Sequence, residues 1–191
     1  MPVFRTVTDA QQGEIKLESI HQPLYDQATI NGAGTFSFFQ NPAGRSRFAT
    51  NLSTAGQLSW PKRFSIRALR QVAAFNTLAT DLLTYLSDSV ITITVGEKPY
   101  LQLPAFMVTA GTGLEVQFVT GAAAPAAPAT GQNYANIGQP RQQNIYSLIH
   151  SIYLPPVQNF NVDVQVGASA APANPIPLHL FLEGELLREI Q

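Results

Sequence analysis

The chain has 191 residues, 45% of them hydrophobic and 12% charged, with 14 prolines, 13 glycines and no cysteine. That length fits one domain with its own core, and the missing cysteines exclude a disulfide framework, a thiolate metal site and a cysteine nucleophile together. Eleven basic against twelve acidic side chains leave a net charge of -1, so the balance predicts no direct binding to a phosphate backbone.

A chain with so little charge repels its own copies weakly, which suits a subunit whose surface is covered by copies of itself. The start, Met1-Pro2-Val3-Phe4-Arg5-Thr6, lacks the basic-then-apolar run of a secretory signal, and no stretch reaches the apolar length of a membrane-spanning helix. The expectation is a chain made in the cytoplasm.

Residues 1–27 mix Gln, Glu, Lys and His with scattered apolar positions (Val3, Phe4, Ile15, Leu17, Ile20). They predict an extended N-terminal arm with one or two edge strands, and residues 28–191 a single domain. Thr35-Phe36-Ser37-Phe38-Phe39 alternates and is rich in aromatics, which predicts a strand within 30–40. Asn41-Pro42-Ala43-Gly44 closes it with turn chemistry, and 45–59 reads as a long polar loop with a short helical turn.

Phe64-Ser65-Ile66-Arg67-Ala68 predicts a strand running toward Phe75, with a bulge where Leu69 and Val72 break the period. Residues 79–86 predict a short helix with Leu82, Leu83 and Leu86 on its apolar side and Thr80 or Asp81 as its cap. Ser89 to Val95 is the clearest internal strand, with Ile91, Ile93 and Val95 inward and Thr92 and Thr94 outward. Gly96-Glu97-Lys98 turns it back into 99–103 as a hairpin.

Residues 104–113 predict a loop, 114–120 a short strand, and 121–140, rich in Ala, Pro and Gly, a flexible surface loop. Residues 142–154 alternate apolar side chains on both faces, the pattern of a central strand, and Pro155-Pro156 ends it. The last stretch carries two more strands. Phe160, Val162, Val164 and Val166 alternate with Asn161, Asp163 and Gln165, and Leu178, Leu180, Leu182 and Leu186 with His179, Glu183 and Glu185, while Phe181 sits on the second face.

About eight strands with connections too short for parallel crossovers require antiparallel pairing. The fold class is therefore all-β, and the long loops favour a single jelly-roll β-sandwich over an up-and-down barrel or an immunoglobulin-like sandwich.

Chemistry is sparse. His21, His150 and His179 stand far apart, with no second ligand at metal-binding spacing. His150-Ser151 with Asp163 suggests a triad, but adjacent residues of a strand face opposite ways. Asp163, Glu183 and Glu185 suggest paired carboxylates of the glycosidase kind; the plainer reading is a polar outer face. Gly32-Ala33-Gly34 and Gly111-Thr112-Gly113 lack the strand-then-helix setting of a phosphate loop. Arg63, Arg67 and Arg70 form the one basic cluster, and Arg63 and Arg67 share a strand face in a pattern suited to salt bridges between subunits. No catalytic, cofactor-binding or metal residue is predicted.

Phe38-Phe39-Gln40-Asn41-Pro42-Ala43-Gly44, followed by residues 50–58 and Pro61 to Arg67, resembles coat proteins of tailless icosahedral bacteriophages, in particular the small jelly-roll capsid proteins of membrane-containing phages. Residues 90–100 with Leu103-Pro104 and Gly111-Thr112-Gly113 are similar to their central hairpin and loop, and 180–188 to their closing strand.

The resemblance implies a major capsid subunit that self-assembles into capsomers of an icosahedral shell, made in the host cytoplasm and located in the virion. Its implied partners are other copies of itself, other virion proteins such as a second coat protein or a penton, and an internal membrane. The arm would clamp onto a neighbour, and the expected subunit-interface residues are Phe4, Arg5, Arg45, Arg47, Trp60, Arg63, Arg67 and Tyr134.

The alternative is a carbohydrate- or receptor-binding sandwich or a minor virion component, with aromatic platforms drawn from Trp60, Tyr85, Tyr100, Tyr134, Tyr146 and Tyr153. An enzyme on a cupin-type jelly roll needs a histidine cluster that this sequence does not supply, so the expectation is that the chain is not an enzyme and holds no cofactor.

Overall fold

Alternating side chains commit most of this chain to strands. The structure is a computed structural model and describes residues 3–9, 13–74, 77–109, 115–117, 134–136 and 145–190. In chain order its elements are β1 (Val3–Asp9), β2 (Gly13–His21), β3 (Leu24–Ile30), β4 (Gly34–Phe38), β5 (Arg63–Ala73), α1 (Ala79–Ser87), β6 (Ser89–Val95) and β7 (Lys98–Pro104). There follow α2 (Ala105–Thr109), β8 (Glu115–Gln117), β9 (Tyr134–Asn136), β10 (Tyr146–Leu154), β11 (Phe160–Val166), a 3₁₀ turn at Ala168–Ala170 and β12 (Ile176–Glu189).

All pairings between strands are antiparallel among the described residues. One sheet has the order β1-β2-β12-β5-β10, with β3 also on β12, and a second has the order β4-β11-β6-β7. The long strand β12 holds this arrangement together. β3 pairs with its Ile176–Leu182 part and β2 with Glu185–Glu189, so both lie along the same edge, and β5 runs along the other. The break between β2 and β3 falls at Gln22-Pro23, where proline has no N–H to give a ladder.

The two sheets share one core. β12 contributes Leu178, Leu180, Leu182 and Leu186, β11 contributes Phe160, Val162, Val164 and Val166, and β6 contributes Ile91, Ile93 and Val95. These are the inward sets that alternation predicts, and each such buried side chain contributes about 1.5–3 kcal/mol of transfer free energy. Opposite them, Phe38, Phe64, Ile66 and Leu69 complete the packing, and the rings of Phe39 and Phe160 lie 5.6 Å apart.

A buried carboxylate joins the sheets near the start of the loop after β4. Asp26, on β3, accepts the backbone N–H of Phe39 at 2.5 Å and the Arg45 guanidinium at 2.7 Å. Arg45 also donates to the Gln27 carbonyl. The predicted turn and helical turn are both present: Arg45 N–H bonds to Pro42 O with Gly44 at φ 73°, and Thr50 N–H bonds to Ser46 O.

Several expectations are corrected. Twelve strands are described rather than about eight: residues 3–30 supply three, and β9, within the predicted 121–140 loop, pairs with β8, which lies inside the strand predicted over 114–120. The segment 1–27, expected as an extended arm with one or two edge strands, carries β1, β2 and the first part of β3 over its described residues, and residue 27 falls inside β3. The bulge in β5 is at Arg67 rather than at Leu69 to Val72: Ala68 faces Glu183 and Ile66 faces Gly184, so Arg67 is the extra residue. After it the inward set passes from Phe64 and Ile66 to Leu69, Gln71 and Ala73.

β10, expected as central, stands last in the described order. Its register against β5 breaks between Ser147 and Ile152, and Ile149 there is 95% exposed. Apolar residues on both sides of a strand thus mark an out-of-register segment here, not two buried faces. The helix α1 forms as expected, but neither Thr80 nor Asp81 caps it; Leu78 is the N-cap, with no side-chain bond. Asp81 instead accepts from the backbone N–H of Ala173 and the amide of Asn174, both at 2.9 Å. Leu82 and Leu86 are buried while Leu83 is exposed, and Tyr85 takes the inner position. Part of the predicted 104–113 loop is α2. Of the predicted 121–140 loop, 134–136 form β9 and the remainder lies outside the described residues.

Candidate functional site: a carboxylate that gathers four strands

The densest polar constellation grows out of the β12 and β5 irregularity. On the face of the first sheet turned away from the core, Glu185 stands opposite His21 of β2 and Ser65 of β5. Arg5 of β1 donates to it twice, through Nε at 2.6 Å and Nη2 at 3.2 Å, a bidentate pairing. Ser19 of β2 donates its hydroxyl at 2.5 Å, and Arg67, brought across by the bulge, donates Nη2 at 2.7 Å.

Both carboxylate oxygens are therefore occupied. The Ser19 hydrogen bond, followed by Arg5 and Arg67, holds the Glu185 carboxyl below the usual carboxylate range in spite of partial desolvation. Arg5 and Arg67 themselves are largely exposed, so each pair alone contributes about 0.2–1 kcal/mol. The convergence of three strands on the carboxylate of a fourth is what distinguishes the cluster.

Beside it opens a cleft of about 370 Å³ bounded by Val3, Arg5, His21, Arg67, Glu183 and Glu185. Glu183 is bound by Arg70, whose guanidinium lies over the Phe181 ring at 5.6 Å. The Phe181 ring continues to Tyr25 at 5.8 Å and to His179 at 6.3 Å. This outer face is a ladder of charge pairs and neighbouring rings, His179 stacked on Phe181 and Tyr25 tilted against it.

Of the expected interface residues, Arg5 and Arg67 meet at Glu185. Phe4 lies on β1 beneath the Lys16 ammonium, 4.9 Å from its ring centre. Arg63 is buried and donates to the Tyr153 hydroxyl at 3.4 Å, so it does not join Arg67. Arg45 is spent on Asp26, and Arg47 offers its carbonyl to the Tyr25 hydroxyl. Trp60 is partly exposed, joined to Pro61 by a cis peptide. Tyr134 lies on β9, and its side chain is outside the described residues.

The candidate triad is not assembled. His150 and Ser151 lie on β10, and Asp163 lies in the other sheet, where it accepts from Ser37 and Asn161, both at 2.6 Å. For the same reason Asp163 does not neighbour Glu183 and Glu185. Tyr85 is not a surface platform: it is fully buried, its hydroxyl donates to Gln71 at 2.9 Å, and burial pushes its ionisation upward.

The anchored loop after β4 was missed as a presenting element. It is pinned by Asp26–Arg45, by Asn51 bonded to Tyr25 N–H and Pro23 O, and by Tyr25–Arg47. At its tip Phe48 is 90% exposed. A phenylalanine directly after Arg45-Ser46-Arg47 in a polar loop is the available signal. In comparisons with protein-family models, curated proteins and solved structures, nothing matches this chain.

Proposed function

We propose that this chain is a structural subunit of a viral shell, a jelly-roll coat protein that functions by packing against copies of itself and other virion proteins. The observation that carries the reading is strand order. Taken in chain order, β3, β4, β5, β6, β7, β10, β11 and β12 are eight strands. In one sheet the first, eighth, third and sixth are neighbours, and in the other the second, seventh, fourth and fifth. Two Greek keys wound together distribute their strands in this way, and no simple meander does.

The chemistry is consistent with a packing role. The prominent polar cluster spends its carboxylate on structural donors, and large apolar side chains stand exposed at Phe48 and Ile149, the kind of residue that anchors interfaces between subunits. The virion is the corresponding location.

Size-exclusion chromatography with light scattering, followed by electron microscopy of the purified chain, tests the proposal. Discrete oligomers, rings or closed shells are expected. A monomer at every concentration, and above all one that binds glycans on an array, would overturn it in favour of a binding module.

A further inference from the structure

Among the described residues the hairpin of β1 and β2 is hydrogen-bonded into its sheet along one seam, and Ile20 of β2 also packs against the core. Among these residues β1 pairs with β2 alone, and β2 meets β12 over Leu17–His21 against Glu185–Glu189. Across that seam the Glu185 carboxylate takes Arg5 from the outer strand, Ser19 from the inner strand and Arg67 from β5 on the far side. We infer that Glu185 is a charge-dependent clip: ionised, it fastens the hairpin to the sheet, and neutralised, it lets the hairpin open as a unit before the rest of the fold.

The physical basis is the donor set. An ionised carboxylate accepts from all four N–H and O–H donors, and its charge strengthens each bond. Once protonated it loses the attraction of both guanidiniums, and its own O–H points a donor at a site crowded with donors. Arg5 and Arg67 are then two like charges without the anion between them.

The surrounding groups do not replace it. On β2, His21 stands directly opposite and brings no negative charge; on β5, Ser65 is the opposite residue and Arg63 turns to Tyr153; on β12, Glu183 is engaged by Arg70. Glu18 and Arg188, 3.0 Å apart, form a second ion pair along the same seam, between residues that face each other in register. That pair is why a comparison with a Glu185 variant is needed and acid alone is insufficient.

The direction with pH follows from the lowered carboxyl. Its contribution is complete above the unfolded carboxylate value of about 4.3 and is lost as pH falls through the lower folded value. The inference concerns this chain whether or not it builds shells.

Hydrogen exchange read by mass spectrometry on the full chain tests it. At pH 7, Glu185→Gln should speed exchange over 3–21 by about tenfold, with β6 and β11 unchanged. Arg5→Gln, altering only an exposed side chain, should do the same to a smaller degree and decides the matter if the first variant does not fold. In the wild type, rates corrected for intrinsic chemistry should show the hairpin opening ahead of β6 and β11 as pH is lowered, and Glu185→Gln should lack that step. Protection unchanged within about twofold in the folded variants, or a hairpin that opens only together with the core, would overturn the inference.

Discussion

A Cβ on Gly184 would stand 1.9 Å from the carbonyl oxygen of Ser65, so β12 and β5 approach more closely at this point than any side chain permits. The contact lies beside the Arg67 bulge, and the obstructing atom is backbone, which cannot rotate away. Gly184→Ala should therefore destabilise the fold by about 1–3 kcal/mol through forced displacement of the strands. Urea denaturation followed by circular dichroism measures this. A variant as stable as the wild type would mean that the strands separate here without cost.

Asp26 and Arg45 supply the second prediction. Asp26→Ala removes the acceptor of both Phe39 N–H and the Arg45 guanidinium, leaving a backbone donor unpaired and a half-buried cation without its anion. The expected loss is about 2–4 kcal/mol, toward the low end because Arg45 retains some access to water. Denaturant midpoints report it, and proteolysis within 40–50 should increase as the loop loses its anchor.

Tyr85 sets a pH dependence at the alkaline end. Burial raises its folded ionisation above the unfolded value of about 10. The unfolded chain thus releases this proton first, and stability falls as pH rises through that value. Tyr85→Phe should cost about 1–2 kcal/mol at pH 8, because Gln71 loses a donor while its own amide still bonds the Ala105 carbonyl at 2.8 Å. The gap between the two proteins should narrow above pH 10. Guanidinium unfolding at the two pH values checks both parts, and a constant gap would show that Tyr85 does not titrate on unfolding.

How much of this was legible in the sequence depended on the range of the interaction. β6, β11 and β12 could be read almost residue by residue, because Ile91, Val162 and Leu180 belong to unbroken two-residue periods with one face buried. The Arg67 bulge was legible only as a broken period, and it was displaced by a few residues because alternation reports a phase change somewhere in a window, not at a residue. The meeting of Arg5 with Glu185 was not legible at all. Those residues are 180 apart in the chain, and only the pairing of β2 with the last five residues of β12 brings them together. Asp81 shows a related limit: its position predicts a helix cap, but the loop at 173–174 competes for the carboxylate and wins it.

Phe48 separates folding from association. It is 90% exposed, at the tip of a loop held by Asp26, Asn51 and Tyr25 rather than by the phenyl ring itself. Phe48→Ser should therefore change stability by less than about 0.5 kcal/mol. An aromatic on a pre-ordered loop loses little entropy when buried by a partner, so the same change should weaken self-association by about tenfold or more. Thermal denaturation and concentration-dependent light scattering on one preparation provide both readings. Unaltered association would remove this loop from the contacts between copies, whereas a large loss of stability would show that the ring supports its own loop.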